Sequence, residues 1–150
     1  VTVTRQLKQV ELWKVFDIFW AATKNNWLNV QGYPYPVDPN YLALSWARLM
    51  DAGTGVAYAG FEGETPVSLF LGIIAPDLHN GILQGVEYAW AGKNGTKLLE
   101  EFEAECKSRG CKRVVCGLHP EFVGDRAPIL RRLYRRKGFS PMTESFVKVL

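Results

Sequence analysis

Apolar positions in residues 8–23, KQVELWKVFDIFWAAT, recur at helical spacing through Leu12, Trp13, Phe16, Phe19 and Trp20. They predict a first helix, preceded by a short N-terminal strand. Residues 25–40, NNWLNVQGYPYPVDPN, break that period with three prolines and a glycine. This stretch reads as a loop long enough to serve a function. Asp38 and Pro39 then suit the cap and first turn of a second helix, carried by Leu42, Leu44, Trp46 and Leu49 to Gly53. The pattern next shortens to strands. GVAYAGFEG (55–63) and VSLFLGIIA (67–75) flank the turn EGETP and predict a hairpin. GILQGVEYAW (81–90) follows the turn-rich APDLHNG as a fourth strand.

The helical period returns in AGKNGTKLLEEFEAECKSRGCKRVV, residues 91–115. Leu98, Leu99, Phe102 and Cys106 make one apolar stripe, with Glu100, Glu101, Glu103, Glu105 and Lys107 mostly off it. Gly110 suits the residue just past the helix end. KRVVCGLH (112–119) predicts a fifth strand, and a last helix over about 126–137 carries Leu130, Leu133 and Tyr134 to Gly138. FSPMTESFVKVL (139–150) closes the chain as a strand. The order β-α-α-β-β-β-α-β-α-β describes an α/β fold, a mixed sheet flanked by helices, as one domain over residues 1–150.

Composition agrees with a globular chain: 47% of residues are hydrophobic and 22% charged. No apolar run reaches the roughly 18 residues of a membrane span, so no membrane partner is expected. The start VTVTRQLKQ lacks the basic and apolar regions of a signal peptide, and a cytoplasmic location is expected. Cys106, Cys111 and Cys116 are too few for a disulfide framework. With only His79 and His119 besides, they do not make a four-ligand zinc set, and no metal is expected. Reduced, buried thiols are the better reading. Charge is distributed unevenly. Residues 1–90 carry five Lys/Arg against eight Asp/Glu, whereas residues 91–150 carry thirteen against seven. An anionic partner for the C-terminal half follows from that imbalance.

The stretch before the third helix is the first candidate for such a partner. A strand, a glycine-containing turn and a helix start in succession place unpaired N–H groups and the positive end of the helix dipole together. Gly92 and Gly95 allow close backbone approach, Lys93 and Lys97 add charge, and Asn94 is a candidate N-cap. The alternative is a plain turn. GKNGTK lacks the GxxxxGK[ST] spacing of a P-loop, and the dinucleotide fingerprint is absent too.

The order of elements, AGKNGTKLLEEFEAECKSRG after the fourth strand, and LYRRKGF in the last helix resemble the GCN5-related N-acetyltransferases, and the chain is similar to their phage-type or bacterial members. The resemblance spans nearly the whole chain and is most specific over residues 81–139. It implies a mixed, mostly antiparallel sheet and acetyl-CoA as acyl donor. The family's pyrophosphate loop, [QR]-x-x-G-x-[GA], falls on Trp90-Ala91-Gly92-Lys93-Asn94-Gly95. Gly95 matches its last position, Trp90 and Lys93 differ at the first and fourth, and Gly92 supplies a glycine one place early. The resemblance implies that Gly92, Lys93, Asn94, Gly95 and Thr96 hold the pyrophosphate. It places the pantetheine arm against the backbone of Tyr88, Ala89 and Trp90.

Transfer to an amine needs a base, because the amine is mostly protonated at neutral pH. Glu87, a carboxylate inside an apolar strand, is the candidate; the alternative is a side chain facing water. The family often carries its base on this strand, and phage-type members have a similar Glu-x-x-Trp. His119 is the reserve. Tyr134, four residues before Gly138-Phe139, fits the family's tyrosine that protonates the leaving thiolate; the alternative is a core tyrosine. The reading is an acetyl-CoA-dependent N-acetyltransferase. Its acceptor is a small-molecule or macromolecular amine, and the loop with Tyr33 and Tyr35 is a candidate acceptor site. The alternative is a non-catalytic structural or nucleic-acid-binding protein of the same fold. Arg131, Arg132, Arg135, Arg136 and Lys137 on the last helix read for the most part as a solvated face; one or two could reach the CoA phosphates, and the sharper alternative is a nucleic-acid surface. A homodimer is a further candidate partnership.

Overall fold

A computed structural model describes residues 1–17, 38–118 and 124–142. The chain divides into two compact units, Val1–Ala22 with Asp38–Gly117, and Thr23–Val37 with Leu118–Leu150. The first unit holds the sheet. Its elements are strand β1 (Val3–Gln6), a 3-10 turn (Gln9–Glu11), helical residues 12–17 (α1) and α2 (Pro39–Asp51). They are followed by β2 (Gly55–Glu62), β3 (Thr65–Pro76), β4 (Leu83–Gly92), α3 (Gly95–Ser108) and β5 (Arg113–Val115). The strands lie side by side in chain order, antiparallel except for the parallel β4–β5 pair. This is the mixed, mostly antiparallel sheet expected from the sequence.

Capping sets the helix limits. Asp38 accepts hydrogen bonds from the N–H groups of Asn40 (2.9 Å) and Tyr41 (3.1 Å), with Pro39 in the first turn of α2. Such a cap contributes about 1 kcal/mol. At the other end, Gly53 with φ +74° turns the chain out, and its N–H and that of Thr54 return to the carbonyls of Met50 and Leu49. Gly110 ends α3 in the same way: its N–H reaches Lys107 and that of Cys111 reaches Cys106. These paired bonds satisfy carbonyls that a helix end otherwise leaves open.

Each sheet face has its own core. On one, Leu12, Val15 and Phe16 of α1 and Ala43, Trp46 and Ala47 of α2 pack on Ala57, Ala59, Leu69 and Leu71. The buried Trp46 indole donates to the Val56 carbonyl at 3.1 Å, so no polar group is stranded there. On the other face α3 buries the predicted stripe, Leu98, Leu99, Phe102 and Cys106, each at most 1% exposed. Burial on that scale stabilises by about 1.5–3 kcal/mol per large side chain. Phe102 is seated on Phe70, with ring centroids 4.9 Å apart, and on two glycines. A Cβ at Gly72 would run into the Phe102 ring, and one at Gly85 would run into Cys106 and Phe102. Those strand glycines let the helix sit close to the sheet.

Three expectations change. β5 covers only Arg113–Val115 of the predicted 112–119, because its pairing with β4 stops at Val86–Val115. Cys116 therefore follows the strand, and it and Cys111 are partly exposed, whereas Cys106 is buried; all three are free thiols. β4 runs on to Gly92, two residues beyond the predicted end. The remainder of the predicted first helix, the loop with Tyr33 and Tyr35, His119 and residues 143–150 of the last predicted strand lie outside the described residues; residues 139–142, the described part of that predicted strand, are not in a strand.

The second unit contributes a 3-10 turn (Gly124–Arg126) and helix α4 (Ala127–Arg136). Leu130, Leu133 and Tyr134 are partly buried along it. Among the described residues no helix is long and apolar enough to cross a membrane.

Close seating of Phe102 is testable. Gly72→Ala should destabilise the protein by about 1–3 kcal/mol through overpacking. The penalty should shrink when Phe102 is also changed to Leu. Urea denaturation of the four proteins checks this; strictly additive losses would contradict the contact.

Candidate active site

The site begins with a register break. Along β3 the partners in β4 run Phe70–Trp90, Leu71–Ala89 and then Gly72–Glu87, so Tyr88 is an extra residue, a β-bulge. The bulge reverses the facing of everything before it. Leu71 and Ala89 belong to the α2-side core, and the Tyr88 ring packs on Trp46 of α2 at 5.0 Å between centroids. Gly72 and Phe70 both face Phe102 of α3, so their partners Glu87 and Trp90 face α3 as well. A plain strand would put residues three apart on opposite faces. The bulge puts Glu87 and Trp90 on one.

β4 and β5 part at this place. Their parallel pairing runs Gln84–Arg113, Gly85–Val114, Val86–Val115 and stops among the described residues. At the next position the Glu87 carboxylate accepts the Gly117 N–H at 2.9 Å. A side chain thus takes the place of a backbone partner at the fork. Burial raises the Glu87 carboxyl to a pKa of about 7, and the Gly117 hydrogen bond partly offsets that rise. The group is half protonated near neutral pH, which suits a proton acceptor. Cys116 stands next to this carboxylate. Its thiol is pushed far up, first by burial and then by Glu87, so it is no ready nucleophile. Gly117 and Cys116 went unnoticed as neighbours of the site. Alternation along Val114, Val115 and Cys116 is the signal that could have placed Cys116 on the Glu87 face.

The turn into α3 is only Lys93–Asn94. Gly92 is the last residue of β4, paired with Ser68, and a Cβ on it would strike the β3 backbone at Val67 and Ser68. The Lys93 N–H is already bonded to the Val67 carbonyl at 3.0 Å. Its ammonium lies 3.9 Å from Glu62 at the surface. Asn94 stands at the N-cap position with φ +54°, but its side chain does not cap; it donates to the Thr2 hydroxyl at 2.9 Å. Gly95 is buried under the Trp90 indole, which occupies the place a Cβ would need. Thr96 follows, partly buried, in the first turn. The Lys97 N–H returns to the Asn94 carbonyl at 3.2 Å; a helix start leaves its first N–H groups without intrahelical partners, which is what lets it hold an anion.

Tyr134 belongs to the second unit. Gly138, at φ +87°, ends α4 with its N–H on the Arg135 carbonyl, and the Phe139 N–H returns to Tyr134 at 2.9 Å. The two rings stack at 5.4 Å between centroids. The Tyr-x-x-x-Gly-Phe spacing is thus that of a helix end with its apolar clasp, a structural reason that stands whatever the hydroxyl does.

Comparison with known structures places the architecture. The chain has the fold of the GCN5-related N-acetyltransferases. A protein from Clostridium acetobutylicum, described as a predicted acetyltransferase and solved with acetyl-CoA, matches with a TM-score of 0.69 at 13% identity, over 100% of this chain and 96% of that one. A GCN5-related N-acetyltransferase from Ralstonia eutropha JMP134 matches at 0.67 and 17% identity over 99% of both chains. A transcriptional regulator from Bacillus halodurans C-125 matches at 0.71 and 15% identity over 100% of both. No family model and no curated protein matches the sequence.

The indole over Gly95 gives a prediction. Gly95→Ala should lower the melting temperature by several degrees, since overpacking costs about 1–3 kcal/mol. Combining it with Trp90→Ala should remove most of that extra loss. Thermal unfolding of the single and double variants decides it; a Gly95→Ala protein of parental stability would contradict the seating.

Proposed function

We propose that the protein is a cytoplasmic N-acetyltransferase, acting as one domain, that moves an acetyl group from acetyl-CoA directly to an amine. The observation that carries this reading is Glu87, a carboxyl with a pKa near 7 at the fork between β4 and β5. The β4 edge past Val86 has no strand partner among the described residues. Its backbone at Tyr88, Ala89 and Trp90 suits the amides of a pantetheine arm, and the start of α3, Gly92 to Thr96, suits the pyrophosphate. Backbone donors at that edge would stabilise the oxyanion that forms at the acyl carbon. Glu87 accepts the proton from the attacking amine. The family resemblance gives Tyr134 the return of a proton to sulfur.

A second reading is a non-catalytic protein of this fold. The two-residue turn, the engaged Lys93 N–H and the indole over Gly95 favour it, since each takes away part of a phosphate cradle.

One experiment separates them. Acetyl-CoA at millimolar concentration should raise the melting temperature, because a ligand of the native state stabilises by RT ln(1 + [L]/Kd). No shift would sink the enzyme reading. Where binding is seen, the rate with an accepted amine should rise through about pH 7 as Glu87 loses its proton, then level off. Glu87→Gln should slow transfer roughly 10²–10⁴-fold and lose that rise. Tyr134→Phe should slow it but keep the rise. A Glu87→Gln protein of parental rate would hand the base role to another group.

A further inference from the structure

The last helix presents a surface to which no part of the transfer reaction is assigned. At about 100° per residue, Arg131, Arg135, Arg132 and Arg136 fall within an arc of about 140°, and Ile129 widens it to about 160°. Leu130, Leu133 and Tyr134 lie opposite. All four arginines are exposed, and none of their guanidinium groups makes a hydrogen bond or ion pair with any described residue. Asp125 is the one carboxylate in residues 124–142, against Arg126, these four arginines and Lys137. Ile129, Arg132, Arg135 and Arg136 line one open groove, with Ile129 56% exposed. Like charges three and four residues apart weaken a helix. A stripe that costs stability and has no counterion among the described residues is suited to an external anion.

The composition of the stripe selects among anions. All four cations are guanidinium groups, whose planar fork suits phosphate oxygens in pairs. An acidic protein partner would meet a single apolar anchor, Ile129, where protein interfaces concentrate several. Single-stranded nucleic acid is held on aromatic platforms, and the arc carries none. Among duplexes, the B-form major groove, about 12 Å wide, admits a helix, whereas the A-form groove is too narrow for side chains to read.

We propose that this face of α4 docks duplex DNA through its phosphate backbone, without reading sequence. Phosphate contacts position a protein and carry no base information. DNA docking here requires no acetyl-CoA, so it is tested apart from the transfer reaction.

The test is fluorescence anisotropy with a labelled DNA duplex of about 20 base pairs between 50 and 200 mM salt, with no acetyl-CoA present. Four phosphate contacts predict a slope of log K against log[salt] of about −3.6, and the Arg132→Gln/Arg136→Gln protein one near −1.8. Arg131→Gln/Arg135→Gln should act alike, which guards against one pair disturbing the helix; circular dichroism checks the fold of both. Absence of binding at 50 mM salt would overturn the proposal, as would slopes unchanged in both variants. Tighter binding of single-stranded DNA, of double-stranded RNA or of poly-L-glutamate would overturn it in favour of that partner.

Discussion

Everything distinctive about the site depends on one extra residue in β4. Without the bulge at Tyr88, Trp90 would face the α2 core and Glu87 the α3 side, with no shared surface between them. With it, the strand meets two demands at once. Its first part pairs with both β3 and β5, and its second part pairs, among the described residues, with β3 alone. Tyr88 is held against Trp46, so the bulge is anchored by packing and not merely tolerated. Among the described residues, β5 follows only the part of β4 that precedes the bulge.

Burial and hydrogen bonding then act on Glu87 in opposite directions. Removing a carboxylate from water favours its neutral form, while a bond from a backbone N–H favours the charged one. Burial wins, and the balance lies near neutrality. A group in that state can take up a proton and give it away at cellular pH. An ordinary surface glutamate would be a much weaker acceptor. Glu87 is partly buried where the strands part, so fold and chemistry meet at this place.

Much of this was legible in the sequence. The Leu98–Leu99–Phe102–Cys106 stripe, the Asp38–Pro39 cap and the glycine-ended helices rest on local rules, and local rules show in spacing. Glu87 was also legible, as a carboxylate in an apolar strand. The bulge was not. Tyr88 and Ala89 face one side in succession, and a period-two reading has no way to mark the doubled residue. Gly95 has a second reason that spacing does not show: its missing Cβ makes room for the Trp90 indole. Strand β5 was read too long because nothing in VVCG shows where its neighbour turns away. Tyr134 with Gly138 and Phe139 carried a family signature whose spacing a helix end also explains.

Direct titration of Glu87 addresses the central claim. Carbon-detected NMR of the protein labelled at glutamate side-chain carboxyls, with the Glu87→Gln variant used to assign the signal, would follow its protonation from pH 3 to pH 10. A midpoint near 7 is predicted. A midpoint in the usual glutamate range, about 4.3, would mean that the fork between β4 and β5 does not shield the group, and the account of the site would fail.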